Sequence, residues 1–485
     1  MDEYIRRLKE GSLKLYALEK ELPPGEAVRV RRAFIEGETG TALPAVGSFS
    51  IGIDRVVKAN IENMIGTVQV PLGVAGPLKV NGEYAAGSCY LPLATTEGAL
   101  VASVNRGCSL ITRAGGADVR IMRDGMTRAP VFAARDVVHA REVTAWVEGH
   151  TPEIREVAES TTKHGEFLDV VTYVAGTSVF VRLEFDTKDA MGMNMVTIAS
   201  QKVGELIERE TGARLVALSG NMCTDKKPAA INLVRGRGKT VVAGVRLTDA
   251  MVADLLKTDA ETLTAVNYRK NLVGSARAAS FGFNAHAANV IAAIFIACGQ
   301  DAAHVVEGSS AITTVDRVDG GVYVSVTLPS LPVGTVGGGT GVDTQRECLA
   351  MLGVAGGGDP PGAHAKAFAE IVAAGGVPRR RTLPPRRPRG PAPGPCAQGP
   401  RPGITRRAAG SGQEIAGATI SCRRARRPRK FDIWALKSLS RPSRLRVRFQ
   451  YREAIESHAK SAKSRRMCIS SQPEPFLRAL PRKHA

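Results

Sequence analysis

Two adjacent lysines stand in the run Asn221-Met222-Cys223-Thr224-Asp225-Lys226-Lys227-Pro228-Ala229-Ala230. Their ammonium groups repel each other, and the carboxylate of Asp225 offsets only one of the two charges. Such a cluster favours an anionic partner, or a carbonyl oxygen that becomes negative during a reaction. Taken alone, an Asp-Lys-Lys run is more often a solvated surface turn. Other motifs along the chain must decide between these two interpretations.

Seven other motifs accompany the lysine run. They are Glu62-Asn63-Met64-Ile65-Gly66, Val74-Ala75-Gly76-Pro77-Leu78, Ala94-Thr95-Thr96-Glu97-Gly98, Asp189-Ala190-Met191-Gly192-Met193-Asn194-Met195, Asn284-Ala285-His286-Ala287-Ala288-Asn289, Gly299-Gln300-Asp301-Ala302-Ala303 and Gly334-Thr335-Val336-Gly337-Gly338-Gly339-Thr340. With the lysine run they closely resemble the 3-hydroxy-3-methylglutaryl-coenzyme A reductase family, class I or biosynthetic type. The likeness covers about residues 25–377, and its motifs follow the order of the family.

The chain of 485 residues is long enough for two or three domains with a sizeable core. Its formal net charge of +20 at pH 7 would by itself suggest nucleic acid or another anionic partner. The excess is confined to residues 378–485, which hold 28 Lys and Arg against 5 Asp and Glu. Residues 1–377 hold the other 38 against 41 and are slightly acidic. A basic nucleic-acid-binding protein is therefore the weaker alternative, and we expect no specific nucleic-acid partner.

Eight cysteines are scattered singly without CxxC spacing, so neither a zinc site nor a disulfide framework is expected. Reduced thiols are typical of cytoplasmic proteins. The segment Met1–Arg7 lacks the apolar stretch of a signal peptide, and no continuous apolar run is long enough for a membrane span. We expect a cytoplasmic protein with no membrane contact, similar to the soluble forms of the family.

The pattern of apolar residues favours an α+β fold. Residues 130–217 alternate strand-like runs with a helix near 190–210 and look like a separate unit. In the family, the corresponding segment is a small α/β-sandwich-like cofactor domain inserted into a large, mostly helical substrate domain. The resemblance therefore implies a large domain built from residues 1–129 and 218–377, with a small NADPH-binding domain at 130–217.

Two predicted helices bear on the expected site. The first covers Thr95–Cys108 and should be capped by one of its first two threonines. The second is an Ala-rich, buried central helix over residues 284–306. Asp301 would lie near the C-terminal end of this helix, where the helix dipole disfavours a carboxylate. We therefore expect a cationic partner for Asp301, and the family supplies Lys226 as the candidate.

The resemblance implies two successive hydride transfers from NADPH, which convert 3-hydroxy-3-methylglutaryl-coenzyme A through an aldehyde to mevalonate. Lys226 matches the active-site lysine of the family and would stabilise the oxyanion of the first step. Asp301 would hold Lys226 and keep it charged. Glu97 matches the catalytic glutamate, which needs a raised pKa to protonate the aldehyde oxygen. Without the family, Glu97 would be interpreted as a helix cap.

Further residues match substrate contacts of the family. Arg128 matches an arginine that grips the substrate carboxylate, a task suited to a bidentate guanidinium. Two matches keep an ordinary alternative, since Lys227 could be only a neighbour of Lys226, and His286 could be a core histidine. The remaining substrate matches are Ser219, Asn221, Lys270 and Asn289, together with Asn105 and Arg106 in the coenzyme A region.

The cofactor residues also rest on the resemblance. The run from Asp189 to Met195 matches the nicotinamide-dinucleotide loop, although its methionines could be ordinary core residues. Adjacent glycines in a second loop would let the backbone approach a ligand closely. The matched residues are Asp189, Met191, Gly192, Met193 and Asn194 in the first loop, Gly337 and Gly338 in the second, and Thr162 and Lys163 near the 2′-phosphate.

Two common nucleotide-binding fingerprints are excluded. No GxGxxG motif follows a predicted strand, so the Rossmann fingerprint is missing. The run Arg235–Thr240 superficially resembles a P-loop, but its required first glycine is replaced by Leu233. No metal is needed for the implied chemistry. The resemblance further implies a homodimer or homotetramer whose active site is shared between subunits.

The composition changes abruptly after Val377. The Pro- and Arg-rich run Pro378–Gly390 cannot continue the apolar helix that ends at Ala374, and one interpretation is a natural basic tail. The other is a shifted reading frame. If one nucleotide was inserted after the Val377 codon, codons exist for Pro378–Pro402 that read LAGELSLLAALAARHLARAHRALGR one base back. This string resembles the C-terminal segment of the family, which carries a catalytic histidine.

We favour the shifted frame for residues 378–485, which then have no place in the fold. The histidine that protonates the departing coenzyme A thiolate would be missing from this chain. Cys396, Ala397 and Gln398 stand near its expected position, and none of them is a good general acid at neutral pH. A reductase that binds its ligands but turns over the thioester poorly is therefore the main alternative to a fully active enzyme.

Overall fold

The computed structural model describes residues 1–377, and these mix helices with strands as the α+β prediction requires. Short turns of 3₁₀ helix occupy Leu15–Lys20, Ala302–His304 and Gly338–Gly341, and a π-helix occupies Asn267–Gly274. The α-helices are α1 (Asp2–Lys9), α2 (Pro24–Thr39), α3 (Ile53–Ala59), α4 (Leu100–Arg113), α5 (Val137–Gly149), α6 (Thr151–Glu159), α7 (Met193–Thr211), α8 (Ala230–Arg235), α9 (Asp249–Leu256), α10 (Ala260–Val266), α11 (Ser275–Arg277), α12 (Ala287–Ala297), α13 (Val305–Gly308), α14 (Asp343–Met351) and α15 (Ala363–Gly376).

One sheet runs through the described part of the chain in the order β7-β4-β6-β3-β8-β10-β9, and its pairs along this path are antiparallel. Strand β1 pairs with β2 and, in parallel, with β3, while β5 pairs with β6. The strands are β1 (Leu72–Asn81), β2 (Ala86–Ala94), β3 (Ala117–Arg128), β4 (Val131–Ala133), β5 (Glu166–Ala175), β6 (Ser178–Asp186), β7 (Arg214–Ala217), β8 (Gly238–Thr248), β9 (Ile312–Val318) and β10 (Gly321–Leu331).

Strand β3 joins two groups of strands. Its residues 118–125 pair with β8, and its last residues 126–128 pair with β6. The strands on the β6 side pack with α5, α6 and α7 around their own apolar core, which draws all its buried members from Met126–Ala213. A larger core joins β1–β3 and β8–β10 with the helices α4, α12 and α15. The segment expected to form a separate unit therefore has a core of its own.

The central helix is shorter than the sequence predicts. Helix α12 is buried as expected, but it covers only Ala287–Ala297 and ends before Gly299, which has a left-handed φ of +66°. A side chain at Gly299 would collide with the backbone of Gly339, because its Cβ would lie 2.3 Å from that carbonyl oxygen. The apolar pattern continues past the break and therefore did not reveal it.

The placement of Asp301 corrects the helix-dipole argument. Asp301 is not at the C-terminal end of α12 but at the N-terminal side of the turn Ala302–His304, where its carboxylate accepts the N–H of Ala303 at 3.0 Å. A carboxylate is favoured at such a position because the first N–H groups of a turn need acceptors. The local backbone therefore stabilises Asp301 independently of any cationic partner.

The predicted cap of the helix after β2 is also wrong. Helix α4 begins at Leu100 after Ala99, and no side chain caps it. Thr95 instead accepts the backbone N–H of Glu97 at 3.0 Å, in a turn before the helix. The carboxylate of Glu97 makes no capping bond, so the ordinary role as a helix cap does not explain this residue.

None of the helices in residues 1–377 is both long enough and apolar enough to cross a bilayer. The five cysteines in this range form no disulfide. The shifted-frame hypothesis and the residues Cys396, Ala397 and Gln398 lie outside the described residues.

Candidate active site

The lysine run forms a strained loop between β7 and α8. Three non-glycine residues within six positions have left-handed backbones, with φ of 63° at Asn221, 50° at Thr224 and 57° at Lys226. Each such conformation costs about 1–3 kcal/mol and persists only where surrounding contacts enforce it. Contacts with surrounding residues must therefore hold this loop in its strained conformation.

The structure brings Lys226 and Asp301 together although they are far apart in sequence. The Lys226 Nζ lies 2.7 Å from Asp301 Oδ2, and the two side chains are 43% and 34% exposed. The hydrogen bond to Asp301 is the main reason that the pKa of Lys226 is raised. Burial acts to raise the pKa of Asp301, but the hydrogen bonds from Lys226 and the Ala303 N–H, together with the charge of Lys226, lower it. Both groups are therefore charged at neutral pH.

Asp225 lies at the centre of a cluster of charges that the sequence did not reveal. Its carboxylate lies 2.9 Å from His304 Nε2, 3.1 Å from Arg237 Nη2 and 3.8 Å from Arg128 Nη1. Burial acts to raise the pKa of Asp225, but the hydrogen bond from His304 and the charge of Arg237 lower it to about 2. The anion is thus held by two guanidinium groups and an imidazole beside the lysines.

A second carboxylate, Glu307, lies beneath the loop and is only 1% exposed. It accepts the backbone N–H of Lys226 at 2.9 Å, a guanidinium N–H of Arg237 at 2.8 Å and the amide of Asn232 at 3.2 Å. No sequence signal pointed to Glu307 or His304, and Arg237 was noticed only inside the rejected P-loop pattern. A buried carboxylate so completely hydrogen-bonded is a structural support for the loop.

Asp225, His304 and Glu307 place their donor atoms within 4.8 Å of one another, a spacing compatible with a metal ion. However, the guanidinium of Arg237 lies between the two carboxylates, at 3.1 Å from one and 2.8 Å from the other. This cation already balances the carboxylates. The cluster is therefore interpreted as a network of ion pairs, and we assign no metal chemistry to it.

Asp189 anchors the expected cofactor loop. Its carboxylate accepts the backbone N–H groups of Gly358 at 3.0 Å, Gly362 at 2.7 Å and Ala365 at 3.0 Å. Burial acts to raise its pKa, but these three hydrogen bonds outweigh burial and lower it. Its carboxylate binds the N-terminal end of α15. Asp189 therefore stabilises the conformation of the cofactor loop through these hydrogen bonds.

The rest of the cofactor loop turns sharply into helix α7. Gly192 has a φ of +89°, and a Cβ there would lie 2.3 Å from Thr187. Met191 and Met193 are half-buried against the core of the β6 side, so the ordinary interpretation as core methionines holds for part of their surface. Asn194 is exposed in the first turn of the long helix. The start of a helix favours negatively charged groups such as phosphates.

The second glycine loop lies next to the first. The carbonyl oxygen of Asp189 accepts the N–H of Thr335 at 2.8 Å, and Gln300 exchanges two hydrogen bonds with the backbone of Gly334 at 2.9 and 3.0 Å. Gly337 and Gly338 have left-handed φ values, and added Cβ atoms there would meet nothing within 4 Å. Gln300 is the neighbour of Asp301, so a chain of contacts connects both loops with the Lys226–Asp301 pair.

The weak cofactor matches Thr162 and Lys163 lie beside the start of α7. The hydroxyl of Thr162 contacts the sulfur of Met195 at 3.3 Å and accepts the backbone N–H groups of His164 and Gly165. Lys163 is exposed, and its side chain has no hydrogen bond or ion pair within residues 1–377. Both are therefore adjacent to the expected cofactor loop.

Four expected substrate residues lie in or beside the lysine loop. Arg128 is mostly buried 3.8 Å from Asp225, and its Nε has no hydrogen-bond partner among the described residues. Ser219 Oγ lies 3.2 Å from Cys223 Sγ at the start of the loop, and Lys227 Nζ donates to the carbonyl of Asp225 at 3.0 Å. Asn221 is an exposed, left-handed member of the same loop.

The other expected residues lie on other elements of the chain. The exposed carboxylate of Glu97 has no hydrogen bond or ion pair within residues 1–377. Asn105 accepts the N–H of Gly76 at 3.0 Å and so holds a turn, beside an exposed Arg106. The remaining three are His286 at the N-cap of α12, exposed Asn289 in its first turn, and exposed Lys270 on the π-helix.

Comparisons with known proteins identify the family of the chain. A family model described as hydroxymethylglutaryl-coenzyme A reductase matches residues 27–378. The chain is 55% identical over 371 residues to a 3-hydroxy-3-methylglutaryl-coenzyme A reductase of Haloferax volcanii, covering 76% of this chain and 92% of that protein. It is 56% identical over 371 residues to a protein of the same name from Halobacterium salinarum, with the same coverage.

Solved structures show the same fold at low sequence identity. The class II 3-hydroxy-3-methylglutaryl-CoA reductase of Streptococcus pneumoniae, bound to NADPH in open conformations, superposes with a TM-score of 0.55. It is 18% identical, and the match covers 75% of this chain and 97% of that chain. At this identity the likeness concerns the fold alone. The family match ends where the composition of the chain changes.

Proposed function

The chain belongs to the hydroxymethylglutaryl-coenzyme A reductase family, and we propose that it reduces 3-hydroxy-3-methylglutaryl-coenzyme A to mevalonate and coenzyme A with NADPH. The observation that carries the proposal is the contact between Lys226 and Asp301, 2.7 Å apart on a strained loop beside two glycine-rich loops. An ammonium fixed in this way can stabilise a carbonyl oxygen as it becomes negative.

The two glycine-rich loops fit the dinucleotide. Gly337 and Gly338 leave open space where side chains would stand, so a ligand can approach the backbone. The start of α7 offers N–H groups to phosphates, and Lys163 adds an exposed cation near them. When bound, NADPH supplies the hydride of each reduction. The residues that would hold it are Met191, Gly192, Met193, Asn194, Gly337, Gly338, Thr162 and Lys163, with Asp189 fixing the first loop.

In the first reduction, Lys226 stabilises the negative charge that develops on the thioester oxygen, and Asp301 holds the ammonium in place. In the second, Glu97 donates a proton to the aldehyde oxygen as it becomes the alcohol of mevalonate. Complete reduction of one substrate molecule consumes two NADPH and two protons and releases coenzyme A. Each role is supported by the match of the residue to the family's motif and, for Lys226 and Asp301, by their contact.

Arg128 is the proposed partner of the substrate carboxylate. It lies next to the lysine loop, and its buried Nε has no hydrogen-bond partner among the described residues. A carboxylate that accepts from Arg128 would satisfy this donor in the bidentate geometry that guanidinium groups favour. We assign further substrate contacts to Ser219, Asn221, Lys227, Lys270, His286 and Asn289, and contacts with coenzyme A to Asn105 and Arg106.

The unpartnered, exposed carboxylate of Glu97 supports a site completed by a second copy of the chain. A catalytic acid needs a pKa near neutrality, which requires burial or a neighbouring charge. Within residues 1–377, the Glu97 carboxylate is exposed and has no ion pair. We therefore propose an active site shared in a homodimer or homotetramer, and the resemblance of the motifs assigns the protein to class I. A cytoplasmic location stays a prediction from the scattered cysteines.

The separate core of the β6 side supports its role as a cofactor domain over residues 130–217. Residues 1–129 and 218–377 then form the large substrate domain. The family match that ends at residue 378 supports the shifted frame, because the composition turns basic at the same point. On this hypothesis the chain lacks the histidine that protonates the coenzyme A thiolate, and thioester reduction is impaired.

The test is an assay of NADPH oxidation with two substrates in parallel. The chain should reduce mevaldehyde, in which no thiolate leaves, better than 3-hydroxy-3-methylglutaryl-coenzyme A, and a gene with the frame repaired should recover thioester reduction. Normal thioester turnover by the chain would contradict the missing histidine. No NADPH oxidation with either substrate, before and after repair, would contradict the reductase.

A further inference from the structure

We propose that Glu307, clamped by Arg237, is the positioning residue that forces the strained backbone of Lys226 and so aims its ammonium group at the reacting oxygen. The inference rests on the proposed function, because it concerns how the lysine of that site is held. Neither Glu307 nor Arg237 belongs to the motifs that identify the family in the sequence.

The left-handed backbone of Lys226 needs a compensating contact. Its N–H donates to Glu307 Oε1 at 2.9 Å, and this hydrogen bond is charge-assisted, with an acceptor carboxylate that is only 1% exposed. The side chain of Lys226 is meanwhile held by Asp301. Glu307 therefore fixes the backbone of Lys226, and Asp301 fixes the position of its ammonium group.

Glu307 is itself held rigidly. Arg237 is fully buried and donates from Nη1 to Glu307 at 2.8 Å, while its Nη2 lies 3.1 Å from Asp225. The same Nη2 contacts the sulfur of Met193 at 2.7 Å. Asn232 adds a third hydrogen bond to Glu307, from its amide at 3.2 Å. Arg237 thereby links the loop of the lysine to the loop expected to bind the cofactor.

The chain offers a matched control in Glu370. This carboxylate is also fully buried and accepts backbone N–H groups, from Glu83 at 3.0 Å, Tyr84 at 2.9 Å and Ala85 at 2.7 Å. Within residues 1–377, these hydrogen bonds all lead to the turn between β1 and β2, and none reaches the lysine loop. Shortening Glu370 disturbs a buried carboxylate of the same kind without touching Lys226.

The experiment compares E307D, E307Q and E370D in the full chain. E307D keeps the charge that Arg237 needs but withdraws the acceptor from the Lys226 N–H by one methylene. E307Q keeps an acceptor oxygen at full length. The measurement is the rate at which an amine-reactive reagent modifies Lys226 near pH 8.5, determined by mass spectrometry relative to Lys227 on the same peptide.

A loosened Lys226 moves away from Asp301, its pKa falls towards the ordinary value, and more free amine is present at pH 8.5. We expect the ratio of Lys226 to Lys227 modification to rise about 3-fold in E307D, the order by which loss of an exposed ion pair shifts an equilibrium. E307Q should lie between wild type and E307D, and E370D should match wild type. In parallel, kcat for mevaldehyde should fall in E307D while the KM for NADPH changes little.

An unchanged modification ratio in folded E307D would overturn the positioning role. So would an equal rise in E370D, because the effect would then reflect general loosening of the core. If E307D does not fold, the comparison of E307Q with wild type takes its place, and an unchanged ratio there has the same consequence. The modification ratio does not depend on turnover, so a failure of the reductase proposal remains distinguishable.

Discussion

Replacing Asp301 with asparagine (D301N) removes the negative charge that lies 2.7 Å from the Lys226 ammonium while preserving the size of the side chain. The asparagine oxygen can still accept a hydrogen bond, so the variant tests the charge more than the contact. Two unit charges at this distance interact by about 6 kcal/mol at an effective dielectric constant of about 20. Both side chains are more than one third exposed, and solvent screening reduces this to about 1 kcal/mol.

This interaction energy shows whether D301N would change the charge of Lys226 or only its position. An energy of about 1 kcal/mol corresponds to less than one pKa unit. The ordinary pKa of lysine is 10.5, so Lys226 stays protonated at pH 7 with or without Asp301. A lower rate at neutral pH in D301N must therefore come from a misplaced ammonium. Misplacement of a catalytic group by about 1 Å can cost up to about 100-fold in rate, and we expect a fall in kcat of about 10- to 100-fold.

Lys226 and Asp301 also contribute to stability over different pH ranges. The pKa of Lys226 is raised in the folded protein, so its contribution to stability is present below the ordinary pKa and is lost as the pH rises through the folded pKa. The pKa of Asp301 is lowered, so its contribution is present above its ordinary pKa and is lost in acid. At pH 7 D301N should therefore lose about 1 kcal/mol of stability or less.

The assay is NADPH oxidation with mevaldehyde from pH 6 to pH 10, with thermal unfolding as the stability control. D301N should show the lower rate at neutral pH, and any loss of activity in alkali should begin at a lower pH than in wild type, because Asp301 raises the pKa of Lys226. A neutral-pH rate equal to that of wild type, with the same alkaline limb, would refute the role of the Lys226–Asp301 pair.

Three further variants test other parts of the site. The pKa of Asp225 is lowered from 3.8 to about 2, so Asp225 should contribute about 2 kcal/mol of stability above pH 4, and this contribution should be lost as the pH falls towards 2. In D225N, the free energy of unfolding measured with urea should therefore change less with pH over this range. A pH dependence equal to that of wild type would reject this role of Asp225. E97Q should unfold within about 0.5 kcal/mol of wild type because Glu97 is exposed, yet mevaldehyde reduction should fall about 100-fold or more, and undiminished reduction would exclude Glu97 as the acid. G338V should raise the KM for NADPH about 10-fold or more, because the valine side chain would fill the space beside the glycine loop. G320V is the control, since Gly320 is another left-handed glycine in open space, and its KM for NADPH should not change. Equal KM values in the two variants would contradict a role of the glycine loop in binding NADPH.

The sequence predicted best where a regular pattern or a long likeness was available. The strands β5 and β6 followed from their β-branched runs, and helix α7 followed from its helical spacing. The pairing of Lys226 with Asp301 came from the resemblance, since two residues 2.7 Å apart in space lie in distant parts of the chain. Spacing alone gave no reason to join them.

The sequence failed where a distant contact overrides the local pattern. The central helix stops because Gly299 must approach the backbone of Gly339, a constraint that the Ala-rich pattern does not contain. Glu307 and His304 sit in an apolar neighbourhood with no motif, and their role depends on meeting Arg237 and Asp225. Asp189 matched a cofactor loop, but its carboxylate is used by the N–H groups of Gly358, Gly362 and Ala365.

The most direct measurement is an experimental structure of the assembled protein with NADPH and 3-hydroxy-3-methylglutaryl-coenzyme A bound. The carboxylate of Glu97 from one subunit and the ammonium of Lys226 should both lie within about 3 Å of the same substrate oxygen, with Lys226 still paired with Asp301. A complex in which Glu97 remains in solvent, or in which Lys226 points away from the thioester, would contradict the proposed mechanism.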